Sequence, residues 1–217
     1  MATFSTLAFR LCKASKTSNF PLILSRTQEI LAAALGYGTF AALQAQSQLC
    51  VSFNDTAHVL IDQKTLKKRL GGFNLAQHLL QVVELIKATM EAGIPGLKVH
   101  ENSSDFEDFV RTAMESAVFD DPDVSGMVAD MNCTWCDEFY TEWEFELNDT
   151  LPPVGSLLVF DVPGQFSMEI DEDRPYTGHG GSFTVNMSML RTDKRCFGDI
   201  EFVVTQYQPL HHDYATD

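Results

Sequence analysis

The sequence Cys133-Thr134-Trp135-Cys136 puts two thiols at the spacing shared by redox dithiols and zinc ligands. A thioredoxin-like dithiol needs a strand before it and a helix after it. Here the pattern predicts a short helix before and a strand after. Asp130, Asp137 and Glu138 surround the pair, and carboxylates raise a thiol's pKa instead of lowering it. A zinc site needs four ligands, and only Cys196, His179, His211 and His212 remain as distant candidates. Of these, His179 stands out because glycines flank it in Gly178-His179-Gly180-Gly181. The candidate metal set is therefore Cys133, Cys136 and His179, with zinc as the alternative cofactor. The favoured reading of the cysteine pair is structural.

Acidic residues form the second candidate group. Glu169, Asp171, Glu172 and Asp173 can collect a divalent cation, but Tyr176 stands where a calcium loop needs its sixth-position glycine. Solvated turn acids are the better reading. Upstream, Glu142, Glu144 and Glu146 alternate with Trp143 and Phe145, which sends the carboxylates to one face of a strand. These seven acids make a candidate binding surface. No Gly-x-Ser-x-Gly elbow, Walker A loop or dinucleotide fingerprint is present, so no residue is assigned a catalytic role.

The chain has 217 residues, 15 Lys+Arg against 30 Asp+Glu, and a net charge of -15. Its 45% apolar content is that of a globular protein with a core. The charge is uneven: residues 1–70 are +5, residues 71–118 are -4 and residues 119–217 are -16. Nucleic-acid binding needs clustered cations, which the back half lacks. The front half has Lys64, Lys67, Lys68 and Arg69, but the would-be recognition helix at 39–46 carries no Lys or Arg. Nucleic acid is therefore not the expected partner. No apolar run is long enough to span a bilayer. Five scattered cysteines do not make a secreted disulfide scaffold, which points to a reducing cytoplasm. The basic, acid-free first 28 residues superficially match a transit peptide, but they lead directly into helix signals and are read as a folded amphipathic helix.

The elements that must position these residues change character along the chain. Helical spacing is expected at 3–16, at 26–35 with Ser25 as N-cap and Gly36 as stop, and from Thr39. These form a three-helix module over 1–48. A strand at 56–62 follows, then helices at 64–70, 74–92 and 104–118, and a short one after Pro122. From 138 the period becomes two, and strands are expected at 138–147, 156–162, 165–171, 183–189 and 200–207, with a tight turn at Pro163-Gly164. The expected fold is α+β. An N-terminal helical module precedes an α+β domain over 49–217, with helices to about residue 132 and an antiparallel meander or partial barrel of about five strands from about residue 138.

Residues 24–43, LSRTQEILAAALGYGTFAAL, resemble a small helical module at the start of many uncharacterised bacterial proteins. Such proteins are often encoded on plasmids and integrative elements, and a related module precedes some glyoxalase-superfamily proteins. The shared pattern is a hydroxyl cap, a helix ending in Leu-Gly-aromatic, then an aromatic residue and a leucine at helical spacing. The segment Asp171 through Gly178 with the strand behind it is similar to the same class. The resemblance implies a bacterial mobile-element context and carries no catalytic residue. No glyoxalase-type ligand pattern follows it.

Three functions are consistent with this reading. The first is a non-enzymatic adaptor that docks a protein partner, basic in character, on the acidic β surface. The second is an acidic decoy that mimics nucleic-acid phosphate and occupies a basic nuclease or defence protein. The third is a metal-dependent enzyme built on Cys133, Cys136 and His179.

Overall fold

A computed structural model describes residues 3–46, 53–131, 133–145, 151–170 and 180–210. The fold is α+β. Among the described residues, the helices are α1 (Phe4–Ser15), α2 (Leu24–Ala34), α3 (Phe40–Gln46), α4 (Gln63–Gly71), α5 (Leu79–Gly93), α6 (Ser103–Asp120) and α7 (Pro122–Asp130). The strands are β1 (His58–Leu60), β2 (Lys98–His100), β3 (Cys133–Thr141), β4 (Leu157–Ile170), β5 (Gly180–Asp193) and β6 (Cys196–Pro209). They form one mixed sheet in the order β2-β1-β6-β5-β4-β3. No helix among the described residues is long and apolar enough to cross a membrane.

The chain divides into two compact units. The first comprises Met1–Phe106, Leu147–Leu157 and Met189–Asp199; the second comprises Glu107–Glu146, Leu158–Ser188 and Ile200–Asp217. In the first unit, Phe4, Leu7 and Leu11 of α1, Ile30 and Leu31 of α2, Leu66 and Leu70 of α4, and Val82, Ile86 and Met90 of α5 share one core. The three N-terminal helices thus bury their apolar faces together with α4 and α5, and not in a core of their own.

Several local expectations hold for the reasons given. Gly36 adopts φ 82 and ends α2. Thr39 accepts from Ala42 N at 3.0 Å, and Asp121 caps α7 through Asp123 N and Val124 N. Other expectations change. Ser25 does not cap α2, which already starts at Leu24 after Ile23. The entry is pinned one turn earlier: Leu22 N donates to Ser15 Oγ at 3.0 Å, and Thr27 Oγ1 donates back to Ile23 O at 3.0 Å. The sequence pattern also left β2 unassigned. It pairs in parallel with β1 (His58 with Lys98, Leu60 with His100), so the sheet is not purely antiparallel.

The largest correction concerns Pro163-Gly164. No turn forms there, and β4 runs unbroken for 14 residues, so four C-terminal strands replace the expected five. Gly164 pairs with Thr141 of β3, and the Pro163 carbonyl accepts from Glu142 N at 3.2 Å. A Cβ at Gly164 would stand 2.2 Å from the Phe183 ring. The glycine makes room for that ring, and the strand continues past it. Strand β3 also begins at Cys133, earlier than the change of period suggested, with register shifts around Cys136.

The second unit is held by aromatic rings. Phe139 stacks on Phe183 at 5.0 Å and Phe119 meets Phe166 edge-on at 5.2 Å. Trp143 packs at 5.7 Å from Phe145. Strand β6 pairs with β1 only through Cys196 and Phe197. Past that point, residues 200–209 are a sheet edge among the described strands.

Asp62 ties the first unit together. Its carboxylate accepts from Thr65 N and Thr65 Oγ1 at 2.9 Å, capping α4, and from Arg195 Nη2 at 2.9 Å in the β5–β6 turn. Its own N–H donates to Ala34 O at 2.8 Å at the end of α2. Next to it, Tyr37 donates to Asp193, and Lys194 lies 4.4 Å above the Tyr37 ring. Asp62→Ala removes a cap and an ion-pair partner and is expected to cost ~2–3 kcal/mol in denaturant unfolding. Asp62→Asn keeps the cap acceptor but loses the charge, and should cost less; equal losses would show that the cap contributes nothing.

Where β1 and β2 lie side by side, His58 Nδ1 sits 3.1 Å from His100 Nε2. His100 Nδ1 is 3.9 Å from Asp105, whose carboxylate also stands 3.8 Å from Lys87. Burial, then His100 and Lys98, lower the His58 pKa to about 4. Burial lowers that of His100 to about 4 against the opposing pull of Asp105, with Lys87 and Lys98 adding to the drop. A folded pKa below the unfolded 6.5 means that the unfolded chain binds more protons, so the stability present above pH 6.5 falls as pH drops toward 4. The pair should contribute roughly 3–5 kcal/mol to that slope. His58→Leu/His100→Leu should flatten it in urea titrations from pH 7 to 4.5, and an unchanged slope would contradict the account.

Candidate functional site

Charge partitions with the structural units. The second unit holds twenty acids and two arginines, for -18, while the first holds ten acids and thirteen bases, for +3. Arg111 is the one cation among the described residues of the second unit, and it bridges Asp108 at 3.3 Å. The acidity of the whole chain is thus concentrated in the second unit, where Arg111 offsets one carboxylate among the described residues. In the first unit, Lys64, Lys67 and Lys68 of α4 are exposed, and Arg69 reaches Glu29 at 3.5 Å.

Alternation along β3, β4 and β5 sends Phe166, Phe183 and Val185 inward and Tyr140, Gln165 and Ser182 outward. On the outward side of the second unit lies a groove of about 420 Å³. Tyr140 and Glu142 line it from β3, Pro163 and Gln165 from β4, Ser182 and Thr184 from β5, and Gln206, Tyr207 and Gln208 from β6. Tyr140 is 61% exposed and Tyr207 44%, a large area of open aromatic surface for a single wall-to-wall feature. The sheet floor is rigid beneath it, because the Gly164–Phe183 contact and the stacked phenylalanines lie directly behind.

Among the described residues, Glu142 is the one charged residue of the groove lining. Its backbone is fixed by the bond to Pro163, and its carboxylate faces solvent. Glu144 and Glu169 are exposed as well. Nearby on the same strand set, Asn186 Nδ2 donates to Asp161 Oδ1 at 2.8 Å. Of the other acids expected to act with these, Glu146, Asp171, Glu172 and Asp173 lie outside the described residues.

Of the three metal candidates, only Cys136 has a described side chain. His179 lies outside the described residues, and Cys133 opens β3 with a side chain outside the described positions. Cys136 pairs with Met168, and its thiol donates to Glu138 O at 3.6 Å. Burial, then Glu115 and Asp137, push its pKa up. The pair lies on β3, and among the described residues it opens no helix whose N-terminus would stabilise a thiolate. Cys196 is buried, which raises its pKa well above the usual thiol range. Among the described residues, no group of three or more His, Cys, Asp and Glu side chains is placed to hold a metal.

Sequence reasoning found Glu142 but missed Tyr140, Gln165, Ser182 and Tyr207. The signal was present: they are the outward members of four alternating strands. Without the pairing order, nothing marked them as neighbours. No family model, no curated protein and no solved structure matches the chain.

The groove residues carry no folding duty. Tyr140→Leu and Glu142→Gln should leave the unfolding free energy within about 0.5 kcal/mol of the parent. Gly164→Ala, one layer beneath, should cost well over ~1 kcal/mol because the Phe183 ring must move. Comparable losses at all three positions would show that the groove is part of the core.

Proposed function

We propose that the protein is a non-enzymatic binding protein whose acidic second unit captures a basic protein partner. The observation that carries this reading is the partition of charge: -18 in the second unit against +3 in the first. A field of one sign steers a partner of the other sign, speeds its encounter and repels competitors of like charge. It also excludes nucleic acid and anionic lipid from this surface. Exposed Glu142, Glu144 and Glu169, from the expected acidic surface, and exposed Asp137 beside them on β3 are the carboxylates assigned as contacts. The resemblance of residues 24–43 supports placing the protein in the bacterial cytoplasm, encoded on a mobile element. An adaptor and a decoy for a basic nuclease share this electrostatic requirement.

The test compares two neutralised variants of equal net charge. One carries Asp137→Asn, Glu142→Gln and Glu144→Gln in the second unit. The other carries Asp55→Asn, Glu84→Gln and Asp199→Asn in the first. Binding to an arginine-rich basic protein such as protamine is measured by titration calorimetry between 50 and 500 mM salt. The parent should bind in a steeply salt-dependent way, since exposed charges more than about 10 Å apart are largely screened at 0.1 M, and the screening length shortens further as salt rises. The first variant should lose roughly tenfold in affinity and the second less than twofold. Equal losses would mean that net charge alone attracts the probe, and the reading would fail.

A further inference from the structure

We propose that the groove on the outward face of β3–β6 seats an extended, arginine-bearing segment of the basic partner. This rests on the reading that the acidic unit captures a basic protein, and it assigns the place and the side chain that are recognised.

The groove runs across four adjacent strands. Three interstrand gaps of about 4.8 Å put its two tyrosine ends roughly 14 Å apart. An extended chain advances about 3.3–3.6 Å per residue, so four residue steps cover that span. Side chains four apart in an extended segment lie on the same side. A segment of the form Arg-x-x-x-Arg can therefore place one guanidinium at Tyr140 and one at Tyr207.

The lining chemistry suits that side chain. Tyr140 and Tyr207 offer exposed ring faces, on which a flat guanidinium stacks with both cation–π and dispersion attraction. At the Tyr140 end, Glu142 supplies a carboxylate for the two-pronged contact that arginine makes and lysine does not. Between the ends, Gln165, Ser182 and Thr184 present acceptors along the floor. Among the described residues, no side-chain hydrogen bond or ion pair engages Tyr140, Glu142, Gln165, Ser182 or Tyr207. Their polar atoms are available to a ligand with no internal contact to break. A saccharide would also stack on tyrosine and use these acceptors, but it is neutral and gains nothing from a surface of -18. The charge decides for the cation.

The probe is the blocked pentapeptide Arg-Gly-Ser-Gly-Arg, titrated into the full chain with amide and tyrosine NMR shifts as readout. Its controls are the lysine and the citrulline analogues. The arginine peptide should shift Tyr140, Gln165 and Tyr207 together. The lysine analogue should bind several-fold more weakly and the citrulline analogue more than tenfold more weakly. Tyr140→Leu and Glu142→Gln should each weaken binding roughly fivefold. Equal binding of the citrulline analogue, unchanged affinity in both variants, or binding of neutral oligosaccharides in place of the arginine peptide would overturn the proposal. Protamine separates the two claims. If the Tyr140→Leu/Glu142→Gln protein still binds protamine as the parent does, the groove assignment falls and the acidic-unit reading stands. If the parent binds no protamine, both fall.

Discussion

Asp62 is the constraint on which the order of the first unit depends. A single carboxylate caps α4 and holds Arg195, while the backbone of the same residue receives the end of α2. Three elements distant in sequence thereby share one residue. The arrangement works because each partner uses a different atom or lone pair, so no partner competes with another. Tyr37, Asp193 and Lys194 reinforce the contact from the other side of the β5–β6 turn. This turn sets where β5 ends and β6 begins.

The α+β class and most helices were legible because their signals are local. The broad apolar face of α5, the stop at Gly36 and the Asp121-Pro122 start of α7 each depend on a few neighbouring residues. Failures arose where a distant partner decided the outcome. Pro163-Gly164 has the composition of a turn, but Phe183, twenty positions on, needs the space that Gly164 leaves. Ser25 has the side chain of a cap, but Leu22 is already fixed by Ser15 in the preceding helix. Strand β2 is three residues long and gains its identity only from β1. The division of the chain was opaque for the same reason, since each unit gathers three separate stretches of sequence.

The candidate site divided along similar lines. Charge asymmetry is a matter of counting, and it put twenty of the thirty acids in the back half of the chain. The structure redistributed the count: Asp193 and Asp199, acids of the back half, belong to the near-neutral first unit, and Glu107, Asp108 and Glu115 join the second. The contrast between units is thereby sharper than between halves. Tyrosines and glutamines at outward positions read as ordinary solvent-facing residues until the strand order β3-β4-β5-β6 brings them to one groove. The cysteine motif, the most conspicuous feature of the sequence, lies on a strand whose surroundings keep the Cys136 thiol protonated.

The sheet edge along residues 200–209 gives the acidity a second consequence. From Phe202 to Gln208 the strand is uncharged and rich in β-branched and aromatic residues, with Glu201 before it and Pro209 behind. Such an edge is a template for pairing with its own copy, and natural proteins guard it with charge and proline. Here two flanking guards are few for seven residues, and the wider guard is the like charge of the unit. Two copies approaching edge to edge would bring -18 against -18. If the proposed reading holds, the carboxylates that attract a cationic partner are the same ones that repel a second copy at this edge, so neutralising them to test recognition would also unguard the edge.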